Sequence, residues 1–471
     1  MNKLNPLFCA VALAMLAPAA NASFDNFVSD STLDTKFRTI YYDMEMEYDK
    51  TFDPGIGMNV DYDVDQTLED LGASLWLNYQ SGWLFDMVSI ELGYQGAVIA
   101  NQDGTADFTE KTGNYGGKFD FSVPSNQLYQ GDVDADSVGK LANANIRLRM
   151  GDDDNNLQLK VGRFTPTIYD LLHRPDISFY ALSSIYEGAQ VAGDLKWSWG
   201  KINPWFNYFT GFSSEHSDET IQFSDLESNA AYDAFDAIYN VGFHTETDYF
   251  ITSASYSYAE DYLSNGIIEF YSGIPLSMFG LNTNDDEYYI KYMLKYGSEE
   301  GLGAVNEDHS TDVTEFAVGL QAGGLDFLIG VTQIGDESFY GFQTQDGHNA
   351  GGGTAVWGDM ALLNSFKYAE QQTLFLVGGY NLNVLNLPNW RLQTTVAVGS
   401  GINLDKLSAA ESGLVNQEDF TETEIDLVYS QNGYQGEGLS VRLTYGQEDN
   451  FNAKGVGLWV EYNGDMLKAF D

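Results

Sequence analysis

Apolar and polar residues alternate along most of this chain. From residue 71, Leu71, Ala73, Leu75, Leu77 and Tyr79 fall on one face, and Gly72, Ser74, Trp76 and Asn78 on the other. A tight Ser81-Gly82 turn follows. Val88, Ile90, Leu92 and Tyr94 then alternate with Ser89, Glu91, Gly93 and Gln95. Period two on both arms of a hairpin predicts antiparallel strands, not helices. The same phase returns at 142–150, 157–161, 237–243, 288–296, 316–320, 325–331, 441–445 and 456–462. Tyr, Phe and Trp gather at the segment ends. Short links near 81–85, 151–156, 193–194, 245–249, 323–324, 384–389 and 432–437 separate mostly long, polar ones.

That rhythm suits a barrel with short turns at one end and long loops at the other. With both chain ends on the turn side the strand number must be even. The 387–389 link is then a turn and the acidic 402–421 link a loop. Both fit only if 360–369 belongs to the loop before it. The expected architecture is all-β, a transmembrane antiparallel barrel of about eighteen strands. The alternation alone also fits a large soluble β protein whose apolar face is a core.

The N-terminus favours the membrane reading. Lys3, an apolar stretch from Leu7 to Ala17 and the Ala20-Asn21-Ala22 step form an export signal, so residues 1–22 are expected to be removed and 23–471 to form the barrel. No later apolar run is long enough for a transmembrane helix. A closed barrel is the other structure that satisfies every backbone group in lipid. Cys9, the single cysteine, lies inside the signal, which leaves no disulfide or thiol chemistry beyond it.

Charge narrows the function. The 69 acids against 22 Lys and Arg give a net charge of −47, which excludes nucleic acid as a partner because phosphate binding needs clustered cations. With 30 Tyr, 29 Phe and 8 Trp the chain is too aromatic to be disordered. Asp152-x-Asp154-x-Asn156 opens like a calcium loop but has Leu157 where Gly is needed and Arg163 where Glu is needed. The five histidines show no metal spacing, and no nucleophile elbow or phosphate-cradling loop is present. The chain is read as a non-enzyme without metal or cofactor.

Several pieces then resemble the OprD family of Gram-negative porins. Phe27 to Leu33 leading into Tyr41-Tyr42 is similar to the family's opening, and Leu75 to Gly82 to its second strand and first turn. Leu159 to Arg163, Thr165-Pro166 and Tyr186 to Gln190 resemble the surroundings of its third loop. Leu385 to Pro388, Glu424 to Leu427 and Gly438 to Arg442 complete the match over nearly the whole mature chain. The resemblance implies an eighteen-stranded channel in the cell outer membrane, with the third loop, about 164–185, folded inward. The Asp30-Ser31-Thr32-Leu33 opening, Asp261-Tyr262 and Asn386-Leu387-Pro388 look most like the chitoporin branch, which passes oligosaccharides of N-acetylglucosamine. Other branches pass amino acids, peptides or carboxylates. Two departures stand out: Phe470 is followed by Asp471, and Thr395 and Ala397 stand where amino-acid-type members carry an Arg.

Phase places Lys36, Arg38, Arg147, Arg149, Lys160, Lys291, Lys295, Arg391 and Arg442 on the inner face. Such cations would draw anionic or zwitterionic solutes along the pore. Alternatively they pair with inward acids such as Glu91 and Glu461 and brace the wall. Trp76, Tyr289, Phe375 and Trp459 share the inner face and would offer flat surfaces to sugars, or would fill wall space. Asp170, His173, Arg174 and Asp176, beside Pro166 and Pro175, could set a transverse field at a constriction, or belong to an ordinary surface loop. The expected partners are a small-molecule solute and outer-membrane lipid.

Overall fold

A computed structural model describes residues 24–52, 60–110, 118–122, 137–152, 154–166, 182–213, 220–225, 234–281, 288–303, 308–339, 342–343, 349–351, 359–360, 364–365, 368–407, 417–432, 437–450 and 452–465. The expected signal, 1–22, lies outside them.

Eighteen antiparallel strands form one closed barrel. The first half of the wall is Thr32–Phe52, Val60–Gln80, Val88–Glu110, Ser137–Gly151, Asn155–Phe164, Ile185–Trp197, Gly200–Ser213, Ile238–Thr247 and Phe250–Ala259. The second half is Leu263–Pro275, Tyr288–Gly301, Ser310–Ala322, Leu325–Ile334, Gln372–Asn381, Trp390–Ser400, Phe420–Ser430, Gly438–Glu448 and Ala453–Asp465. The last strand pairs with the first, Arg38 opposite Glu461, so no edge of the barrel is left open. No described helix is long and apolar enough to cross a membrane. The crossing is made by strands.

The phase read from the sequence orients the wall. Leu75, Leu92, Ile146, Val161, Phe316, Ile329, Leu443 and Leu458 all point outward and are exposed. An apolar band of this extent on a closed barrel is stable against lipid, not water. Inward positions carry the polar and charged residues together with buried apolar clusters, two of them large. One gathers Phe164, Tyr186, Phe209, Phe223, Phe235 and Tyr262, and the other Met293, Ala317, Tyr368, Phe375, Ala397 and Phe420.

Three features differ from the expected rhythm. The first three strands run 21, 21 and 23 residues, because alternation continues past the apolar band with exposed acids on the outer face, such as Asp43 opposite Glu69. The 193–194 link is no turn: it lies within Ile185–Trp197, and the chain reverses at 198–199. Pro204 has no N–H to give, so cross-strand pairing skips from Ala192–Trp205 to Leu195–Ile202, and the sequence there imitates a turn. The connections at 260–262 and 449–452, on the long-loop side, are short. The 360–369 stretch does lie in a loop. Asp359–Met360 and Asn364–Ser365 pair with each other in a small sheet apart from the barrel.

Candidate functional site: a charged inner wall

The inner wall is a lattice of shared ion pairs. Arg38, 1% exposed, grips Glu461 with Nε and Nη2 at 2.9 and 2.6 Å, and Lys36 reaches the same carboxylate at 4.0 Å. Lys160 Nζ lies 3.6 Å from Glu91, whose oxygens also accept from Asn78 and Asn145 at 3.0 Å. Arg442 donates to Asp426 at 2.8 Å and to Glu424 at 2.6 Å. Lys295 pairs with Glu269 at 2.7 Å. Asp326 holds two cations from different strands, Lys291 and, at 3.5 Å, Arg391.

Arg147 and Arg149 are held differently. Both lie over the Trp83 ring, 5.0 and 4.5 Å from its centre, near the 81–87 turn. Arg147 also donates to Gln158 at 3.1 Å. These two arginines share one indole as a platform.

The aromatic residues split. Trp76 is half-buried beneath Lys36 and Arg38, at 4.6 and 5.1 Å. Tyr289 is half-buried and donates to Gln321 at 2.7 Å. Phe375 corrects the sequence reading. It points inward but is only 1% exposed, lying flat over Gly330 among Met293, Ala317 and Phe420, so it lines no open space. Trp459 also lies down on Gly457, touches Tyr42 edge-on at 5.2 Å and is 3% exposed, but with Arg442 over its ring at 5.4 Å it still forms part of the wall of a recess. In both cases a glycine provides the bed that keeps the ring against the wall.

Asp170, His173, Arg174 and Asp176 lie outside the described residues. The described ends of their loop are tied to inward side chains: Thr165 N donates to Asn143 Oδ1 at 3.1 Å, and Ser183 exchanges bonds with Gln95 at 2.6 and 2.9 Å. Elsewhere, a hydrogen-bonded amide row crosses four strands, from Gln190 to Asn207, Asn240 and Ser257, at 2.9, 2.8 and 3.0 Å. Its members are all buried. Among the described residues no group of three His, Cys, Asp or Glu side chains is placed to hold a metal ion.

Three arginines and three acids meet at one recess of about 650 Å³, at the turn end of the inner wall: Arg38, Arg391 and Arg442 with Asp326, Asp426 and Glu461. Arg391 reaches Asp326 by lying across Gly379, which stands between Asp326 and Gln393 in the register. Phase could have revealed Asp326, because Leu325 and Phe327 flank it on the outward face. The roles of Gly379 and Trp83 had no signal in the sequence.

Solved structures share this architecture. The Pseudomonas aeruginosa channel OccK9 (OpdG) superposes with a TM-score of 0.68 at 14% identity, covering 94% of this chain and 100% of that one. This is a porin fold. The P. aeruginosa protein OpdK, solved with vanillate, gives a TM-score of 0.65 at 16% identity over 93% of this chain and 100% of that one. OccD3 (OpdP) from the same organism gives 0.63 at 13% identity over 94% and 93%. No protein-family profile matches the sequence, and no curated protein is found as a relative. The likeness shows the fold, a closed eighteen-stranded outer-membrane barrel, and in such barrels the short turns face the periplasm and the long loops the outside. The recess accordingly opens at the periplasmic end of the porin lumen.

Proposed function

We propose that this chain is a passive outer-membrane channel of a Gram-negative bacterium for small polar solutes of no net charge. Oligosaccharides of the N-acetylglucosamine type are the class that fits best. The observation that carries this reading is the sharing of carboxylates along the inner wall. A row of unpaired cations would draw anions, whereas Lys36, Arg38, Lys160, Lys291, Arg391 and Arg442 each face an acid within 4.0 Å. Ion pairs with spare N–H groups and spare oxygens offer donors and acceptors to hydroxyl and amide groups without a strong field. The half-buried rings of Trp76 and Tyr289 add the flat faces that sugars favour. The pair Glu461–Arg38 also braces neighbouring strands, and Glu91–Lys160 reaches across the strand Ser137–Gly151 that lies between theirs.

A second reading, a channel for amino acids or small carboxylates, is favoured by Arg147 and Arg149 on Trp83, a pair of guanidinium groups held by a ring. Single-channel recordings in planar bilayers separate the two. Chitohexaose is expected to interrupt the current transiently, and arginine and glutamate to leave it unbroken. If the amino acids block and the sugar does not, the carboxylate and amino-acid reading takes its place.

A further inference from the structure

The recess at the periplasmic end has more structure than a widening of the pore. Its walls come from both sides of the seam where the first and last strands meet. Each of two acids there serves two cations: Asp326 binds Lys291 and Arg391, and Glu461 binds Arg38 and Lys36. The Asp326 group is the more open of the two. Its three side chains are 27 to 30% exposed, while Arg38 is 2% exposed at its side chain. Amide groups complete the rim, with Asn381 accepting from Arg391 at 3.3 Å and Gln393 beside it.

We propose that this recess is a solute subsite for an uncharged molecule rich in hydroxyl and amide groups, and that Asp326 and Glu461 decide its specificity. The inference rests on the reading of the chain as a channel. The lining of the recess is balanced, Arg38, Arg391 and Arg442 against Asp326, Asp426 and Glu461, which removes the net charge that would attract an anion, while the arginines at its wall keep N–H donors for a neutral solute. A neutral sugar exchanges its hydration for those donors and for the second lone pairs of carboxylate oxygens that already accept one bond. A carboxylated sugar of the same length would instead have to compete with Asp326 for Lys291 and Arg391. Remove the Asp326 charge, and the two cations that share its carboxylate become an anion site.

The test compares wild type with Asp326→Asn, with Asp326→Glu, and with the triple change Asp326→Asn, Lys291→Gln and Arg391→Gln. Each is assayed as full-length protein for reversal potential in a KCl gradient. Each is also assayed for the length of current blocks by chitohexaose and by an oligogalacturonate of equal length. Asp326→Asn is expected to move the reversal potential toward anions and to lengthen oligogalacturonate blocks about tenfold, the change that unmasking partly solvated cations produces. Asp326→Glu should behave as wild type, and the triple change should cancel both effects, which a purely structural role of Asp326 would not do. If Asp326→Asn does not assemble, Glu461→Gln carries the same comparison with Arg38 and Lys36. An assembled Asp326→Asn channel with unaltered potential and blocks overturns the proposal. A wild-type protein that conducts no ions instead overturns the channel reading beneath it.

Discussion

The guanidinium of Arg391 occupies the space a side chain at residue 379 would fill: a Cβ on Gly379 would overlap Nη2 outright. The neighbouring Gly378 faces the other way, with only Thr394 nearby at 3.8 Å. Adjacent glycines therefore predict opposite outcomes. Gly379→Val should push Arg391 away from Asp326 into the lumen and lower single-channel conductance. Gly378→Val should leave conductance unchanged. Equal effects of the two substitutions would show that Arg391 is not cradled there.

Leu75 and Trp76 face opposite solvents. With residues 1–22 removed the chain has no cysteine. A cysteine at position 76 should react with a membrane-impermeant thiol reagent, and one at 75 should be spared by lipid. The reverse labelling would mean that the phase of the wall is inverted.

Those two residues also mark how far the sequence alone reaches. Orientation follows from period two, a local property, and so the lipid face and the inner face are legible along nearly the whole wall. What a given inner side chain does depends on register with strands far away in sequence. Phe375 and Trp459 have the phase of lumen rings, but Gly330 and Gly457 give each of them a bed against the wall. Asp326 has the phase of a lumen acid, but its two cations come from residues 291 and 391, joined only by strand pairing. The 3.6 Å pairing of Lys160 with Glu91 likewise depends on how strands distant in sequence line up, which no local pattern reports.

Phe375 is a stability residue in this structure. Phe375→Ala should cost about 3–5 kcal/mol, the usual range for a buried ring, because the strands around Gly330 cannot collapse into the space. Thermal unfolding in detergent reads this directly. Chitohexaose block times should stay as in wild type. Shortened blocks with unchanged stability would return the ring to the lumen.

Arg147 and Arg149 stand over Trp83 near the periplasmic mouth, where a reversed charge acts on every passing ion. Changing both to Glu should raise cation over anion permeability in a salt gradient without preventing assembly. An unaltered reversal potential would remove them from the conduction path.

At the external rim His309 bonds Glu337 through Nδ1 at 2.6 Å and Glu299 through Nε2 at 2.9 Å. Burial disfavours the imidazolium, but the two carboxylates outweigh it and raise the His309 pKa above its ordinary value. A raised folded pKa means the clasp's stabilisation is complete below the unfolded value of about 6.5 and is lost as pH climbs through the folded one. With Glu337 partly exposed, the effect is about 1 kcal/mol. Amide exchange at Ser310, which donates to Glu337, should therefore quicken with pH beyond its intrinsic rise, and His309→Gln should abolish that excess. Exchange that tracks the intrinsic rate in both proteins would leave the clasp without a role.

The seam between Thr32–Phe52 and Ala453–Asp465 sets the order in which this barrel can be built. Arg38 and Glu461 are bonded across 423 positions of sequence, between the first strand of the barrel and the last. The entropy of closing so long a loop grows only with the logarithm of its length, so distance alone is a modest penalty. Timing is the harder problem. Until the last hairpin is delivered, the first strand offers a bare ladder of N–H and C=O groups, and so does whichever strand is newest. A nascent wall of this kind is a sheet with two adhesive borders, and both must be kept from other chains during transit. The Arg38–Glu461 fork can form only when both borders have met, and it then latches the seam with a buried, doubly bonded pair.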